Sequence, residues 1–370
     1  MNRDAMLLAK ALRDPASTRA LDADGWTALL TMARAEQLIG TLAYRLLDEV
    51  VPATVAKILA DARINAEHQR RTALWEAECA RRALAGCAGK VVLMKGTAYV
   101  AAGLKAGEGR HIGDLDIMVA REDLPQVEAL LLGKGGWEWV KEDAYDDAYY
   151  RDHMHELPPM IHKERDRMID VHHTILPLTA GPTPDAVGML GEALELSRKN
   201  AVSAEPVEAR SHTTSRTSTG SALTDGLCVL SPNDMVIHCA THLIADGDLA
   251  GGLRNLWDMH CLLTEFSQAD ENFWVALQSR ATHHGLWQAV HTATRLAHQL
   301  YGTDIPDSWN IRGNADWQFI HRLTARDGWG RQTRKITRLI FYIRSHWLRM
   351  PPLMLARHLF TKWRKAKGKK

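Results

Sequence analysis

Asp114 and Asp116 stand two residues apart at the head of an apolar run, with Leu115, Ile117, Met118 and Val119 around them. In an extended strand, residues i and i+2 point to the same face. The two carboxylates would therefore project together, while Leu115 and Ile117 turn to the core. Side-by-side carboxylates repel unless a divalent cation lies between them, and hard oxygen donors of this kind suit Mg²⁺. Upstream, Lys95-Gly96-Thr97 closes the apolar run Val91 to Met94, with sixteen residues between Thr97 and Asp114. A Gly-Thr pair after a strand leaves backbone N–H groups open toward an anion, and a helix starting there would add its N-terminal dipole. Gly96 has no side chain to hold a phosphate away. Thr97 offers a hydroxyl and Lys95 an ammonium to the same oxygens. The combination points to phosphate plus metal.

A third carboxylate comes later. Met168 to Ile175 has strand character, so Asp170 and His172 share a face. Arg110, four residues before Asp114, is close enough to meet a triphosphate or to pair with the acids. His238 and His242 fall at i and i+4, on one face of a helix. The intervening Cys-Ala-Thr lacks the Glu of a zinc-protease H-E-x-x-H helix, so that chemistry is poorly supported. These two, with His172, read as histidines packed in a second layer around the site. Arg254 and Asp258, also at i and i+4, read as an ion pair on a helix surface, and His153, His155 and His173 have no assigned place.

The elements that must hold these residues follow from periodicity and breakers. The first ninety residues or so read as helices, with Trp26, Leu29, Leu30, Ala33, Leu38 and Leu46 on apolar faces and one long helix from Ala53 to Ala85. Lys90–Met94 and Leu115–Ala120 read as strands flanking a short helix, Thr97–Leu104. A helix from Glu122 to Leu132 precedes further strands near Trp137–Val140, Glu156–Ile161 and Met168–Ile175. From Arg198 to Asp225 the composition changes, and its Ser-His-Thr-Thr-Ser-Arg-Thr-Ser-Thr-Gly-Ser stretch has no large apolar residue, the composition of a flexible insertion. Ser231-Pro232-Asn233-Asp234 then makes a good helix start, and the pattern stays helical almost to the end. The expected divisions are a helical region over 1–88, an α/β core over 89–197, the insertion 198–226, a helical domain 227–330 and a basic amphipathic tail 331–370.

The net charge of +2 conceals an asymmetry. Residues 331–370 carry thirteen Lys and Arg and no acid, leaving 33 basic against 44 acidic residues elsewhere. Such a tail, interleaved with Trp347, Leu348, Phe360 and Trp363, suits an anionic partner, either RNA or a membrane surface, or else packs on the protein's own acidic body. No run reaches the roughly 18–20 apolar residues of a membrane span. Five cysteines without C-x-x-C spacing fit free thiols in a reducing cytoplasm, with peripheral attachment to the inner membrane face as a variant of that location.

As an ordered set, these motifs resemble the signature of the polymerase-β-type nucleotidyltransferase superfamily, and more closely its uncharacterised bacterial branch. The match rests on the Lys95-Gly96 turn, Arg110-His-Ile-Gly-Asp114-Leu-Asp116, Asp170-Val171-His172, His238-Cys-Ala-Thr-His242 and the Leu253-to-Asp258 stretch. The resemblance implies a mixed α/β (α+β) fold: a polymerase-β-like core with a mixed sheet, flanked by N-terminal helices and a C-terminal helical domain. It implies transfer of a nucleoside monophosphate from an NTP, such as ATP, to a hydroxyl or phosphate acceptor of unknown identity. Two Mg²⁺ ions, replaceable by Mn²⁺, would assist. Asp114 and Asp116 would bridge both ions, and Asp170 would bind the hydroxyl-side ion. Lys95, Gly96, Thr97 and Arg110 would hold the nucleotide. The alternatives are an inactive nucleotide- or RNA-binding protein on the same fold, and a metal-dependent phosphoester hydrolase.

Overall fold

A computed structural model describes residues 4–196 and 226–349, apart from Glu142, Arg312 and Asn314. The expected insertion 198–226 therefore lies almost wholly outside the described residues, as does the tail beyond Arg349.

Seven strands among the described residues make one mixed sheet. They are β1 (Val92–Leu93), β2 (Leu115–Met118), β3 (Trp137–Trp139), β4 (Met160–His162), β5 (Met168–His172), β6 (Leu194–Glu195) and β7 (Cys228–Val229), in the order β3-β4-β5-β2-β1-β7-β6. β2 pairs parallel with β5 and β1 parallel with β7, while the other neighbours run antiparallel. β2 and β5 thus lie in the interior of the sheet, where buried Leu115, Ile117, Ile169 and Val171 fix their register against the core. With helices packed around this sheet, the chain has the mixed α/β fold expected. The sheet also takes in β7, which lies beyond residue 197.

Four N-terminal helices, Met6–Arg13, Ala23–Ala35, Ile39–Arg45 and Ala53–Ala83, build one side of the core. The second starts where the Asp22 side chain accepts from the Gly25 amide at 2.7 Å, a side-chain cap. The 31-residue helix Ala53–Ala83 buries Val55, Leu59, Leu74, Ala77 and Ala80. Its Glu76 accepts from Arg165 at 2.9 Å, anchoring the turn between β4 and β5. Gly40, in the third helix, meets Gly109 backbone to backbone: a Cβ on either would overlap the other's main chain, and Gly109 has φ +67°. The N-terminal helices therefore press directly on the loop that leads to Arg110 and the acids.

Several expected elements are shorter or shifted. The helix after β1 spans Lys95–Ala101, so Lys95 and Gly96 belong to its first turn rather than to a turn before it. A helix over Ala144–His153 was not visible in the apolar pattern, because its sequence is mostly Asp, Arg and Tyr. The start at Ser231 is found as expected: its side chain accepts from the Asp234 amide at 3.4 Å, with Pro232 at the first position. That helix, Pro232–Ala240, runs into a π-helical turn, Thr241–Asp246. The last described helix, Lys335–Arg349, packs through Phe341 and Ser345, with the Phe341 ring 5.3 Å from that of Phe319. Its outer side exposes Ile336, Leu339, Ile340, Ile343 and Trp347. No helix among the described residues is long and apolar enough to cross a membrane.

Candidate active site

The parallel pairing of β2 with β5 sets Asp116 directly opposite Asp170, and Met118 opposite His172. Asp114 stands just before β2. One oxygen from each of Asp114, Asp116 and Asp170 lies within 4.8 Å of the others, so two residues close in sequence and a third some fifty residues later converge on one spot. Asp114 is exposed, Asp170 half-buried and Asp116 only 2% exposed. The spot is open on one side and closed on the other.

Charge in the cluster is unevenly shared. Lys95 Nζ donates to Asp116 Oδ1 at 2.5 Å, and His172 Nε2 lies 3.1 Å from the same oxygen. Burial would lift the Asp116 carboxyl, but the Lys95 ammonium and the His172 hydrogen bond outweigh it and hold the group well below the usual range. Burial likewise works against the Lys95 charge, and Asp116 reverses that, so the ammonium is stabilised. Asp170 has no such partner among the described residues. Burial first, then the neighbouring Asp116 and Glu156 carboxylates, push it up to about 7. A carboxyl raised by burial and by adjacent carboxylates is the electrostatic mark of a place that favours a cation. The donor set, three carboxylates with one side open to solvent, fits Mg²⁺ or Mn²⁺.

His172 runs between two acids. Its Nε2 faces Asp116, and its Nδ1 faces Glu156 Oε2 at 3.5 Å. Burial would lower this imidazole, but the Asp116 hydrogen bond and the Glu156 charge raise it overall. His238 and His242 lie in the layer below: burial and then the Lys95 charge depress both, His242 to about 3. Both imidazoles are held toward their neutral form. The α-to-π transition between them gives the helix an irregular turn where it passes the site, a feature frequent at functional positions.

Three residues sit differently from the sequence expectation. Arg110 is 8% exposed and turned away from the acids: its Nε donates to Asp258 Oδ2 at 2.9 Å, its Nη1 to the His111 carbonyl at 3.2 Å, and it lies 5.5 Å over the Tyr99 ring. Gly96 is covered by that guanidinium, since a Cβ there would overlap Arg110 Nη1, so the glycine makes room for an arginine. Thr97 is 1% exposed. The Arg254–Asp258 surface pair is also corrected: Asp258 is 2% exposed and holds Arg110, while Arg254 donates to Gln37. Asp258 is buried because its helix, Gly252–Ala269, packs into the core on that side.

Two neighbours of the site have no role in the sequence reading, His155 and Glu156. Their only linear sign is the His153-Met154-His155-Glu156 string of ligating side chains just before a strand. A cavity of about 340 Å³ lined by Arg45, Glu108, Trp257, His260 and Glu265 includes none of the three carboxylates, so it lies apart from this chemistry.

A family model described as an uncharacterised nucleotidyltransferase matches residues 22–302, a span that contains every carboxylate, histidine and lysine of the site. No curated protein matches the chain, and no solved structure does.

Proposed function

We propose, from the premise that this chain belongs to the uncharacterised nucleotidyltransferase family, that it transfers a nucleoside monophosphate from an NTP to a hydroxyl or phosphate acceptor. The core would be polymerase-β-like. The observation that carries the reading is the convergence of Asp114, Asp116 and Asp170 from two parallel neighbouring strands. A pure binding module has little use for three mutually repelling carboxylates.

Asp114, Asp116 and Asp170 would hold Mg²⁺, two ions by the family's two-metal scheme, with Mn²⁺ as a substitute. When bound, such ions neutralise triphosphate charge and make a coordinated hydroxyl more acidic. Asp170 would bind the hydroxyl-side ion and accept the acceptor's proton. Lys95 brings a positive charge to the cluster and would meet the triphosphate, while buried Gly96 and Thr97 shape the turn that carries it. Arg110 acts one step back. Fixed by Asp258 and lying over Gly96, it sets the shape of that turn. His172 orients Asp116, and His238 and His242 support the floor. Most of the rate enhancement would come from positioning and fixed charge.

The contact of Lys95 with Asp116 favours a second reading, in which the lysine neutralises the site and the protein binds nucleotide without turnover. One experiment separates the two. Purified protein is incubated with Mg²⁺ or Mn²⁺, each α-labelled NTP and a cell extract fractionated into RNA, protein and small molecules. An Asp114→Ala/Asp116→Ala double variant is the blank. Label entering one fraction, and lost in the variant, supports transfer and names the acceptor class. NTP binding with no label anywhere supports the binding module.

A further inference from the structure

Beside the carboxylate cluster lies a second group of potential ligands with different chemistry. The chain bends at His155 and forms an antiparallel bridge between Glu156 and His172, with the His173 amide donating to the His155 carbonyl and the Leu157 amide to the Val171 carbonyl, both at 2.9 Å. Residues 155–157 thus run along the edge of β5 opposite to β2. Residues facing each other in such a bridge have close side chains on one face. The bend brings His155 in as well, its ring 5.2 Å from that of His172. One ligating atom from each of His155, Glu156 and His172 lies within 4.8 Å of the other two.

His155 Nε2 is 3.8 Å from Glu156 Oε2, and His172 Nδ1 is 3.5 Å from the same oxygen. Donor atoms bound at about 2.0–2.1 Å around a tetrahedral ion are roughly 3.4 Å apart, so little movement would close this set on a metal. A second observation points the same way. His172 is 2% exposed, and its Nδ1, facing Glu156, has no hydrogen-bond partner among the described residues. A buried imidazole nitrogen without a partner is destabilising, and a ligand would relieve it. Meanwhile Nε2 of the same ring faces Asp116 Oδ1 at 3.1 Å. A metal-bound histidine whose other nitrogen donates to a carboxylate is the recurring arrangement that fixes ring tautomer and orientation at zinc sites.

We infer that His155, Glu156 and His172 form a separate site for a borderline divalent transition metal, Zn²⁺ foremost. Two imidazoles and one carboxylate select such ions over Mg²⁺, whereas three carboxylates do the opposite. Three protein ligands leave a fourth position for water. The half-buried Glu156 gives the ion a way in from solvent. The ion would clamp the segment after helix Ala144–His153 onto β5, and through the ring of His172 it would set the position of Asp116. The carboxylate cluster and the imidazole site would then share one histidine as a rigid link.

The test uses full-length protein stripped with a chelator and titrated calorimetrically with Zn²⁺ in excess Mg²⁺, which occupies the carboxylates. One zinc per chain is expected. Glu156→Gln and His155→Gln should each weaken it about tenfold or more, whereas Asp114→Asn should leave it within about twofold. X-ray absorption on the zinc-loaded, unaltered protein should show imidazole in the first shell. That spectrum decides the matter even if a variant fails to fold. Absence of stoichiometric zinc, a first shell without imidazole, or zinc that survives Glu156→Gln but is lost in Asp114→Asn would overturn the inference. None of these results depends on nucleotide transfer, so the two readings fail separately.

Discussion

At the scale of single residues, the three aspartates differ in charge state, and each difference is testable. Asp116→Asn or Asp170→Asn should lower NMP transfer by about 10³-fold or more, with the fold retained by circular dichroism, because each removes charge where the reaction develops it. Asp170 should also leave a mark on stability. Its folded carboxyl titrates near 7, so between pH ~4 and 7 the native state holds a proton that the unfolded chain has released. Stability from this group is therefore lost as pH rises through that window. Without added metal, Asp170→Asn should gain melting temperature relative to the unaltered protein from pH 5 to pH 8, and Mg²⁺ should reduce the difference. Asp116 has the opposite sign: held low by Lys95 and His172, it stabilises above the ordinary carboxylate range and stops doing so in acid. The spacing of Asp114 and Asp116 made their shared face legible, because the period of a strand is fixed. The contacts of Lys95 and Glu156 were not legible, because they depend on register between residues far apart in the chain.

At the scale of elements, the site is held by contacts that look unrelated to it. Arg110 and Asp258 are both buried, and they join the loop before β2 to helix Gly252–Ala269. Removing one member of a buried ion pair strands the other, so Asp258→Ala should cost about 3–5 kcal/mol in chemical denaturation. Gly96→Ala would push the same guanidinium off its seat. A loss of transfer larger than the loss of stability there would mark Arg110 as setting the turn. Helix starts such as Ser231 were readable from their capping chemistry, and the long helices from their apolar stripes. Most strands were expected too long, because they occupy only two to five residues of an apolar run. Helix Ala144–His153 escaped notice because Asp, Tyr and Arg conceal its periodicity.

At the scale of the whole molecule, an acidic body carries a basic end. Helix Lys335–Arg349 turns Ile336, Leu339, Ile340, Ile343 and Trp347 to solvent beside Lys335 and Arg338, the composition of a helix that rests on an anionic surface. Cosedimentation with phosphatidylserine vesicles should be measurable, weaken at high salt, and fall when Ile336, Ile340 and Ile343 are replaced by Ser. Salt-sensitive binding to RNA in place of vesicles would assign the charge to nucleic acid. The same scale gives the pairing of β6 with β7 a practical meaning. Leu194 lies opposite Val229 and Glu195 opposite Cys228, so the chain leaves the sheet and re-enters it at adjacent places. A gene split within that interval, between codons 205 and 215 for instance, would encode two polypeptides. The first would carry all three aspartates, and the second β7 and His238. Neither would hold the whole site, and each would need the other to complete the sheet. Co-expression should restore the proposed transfer activity where either piece alone has none.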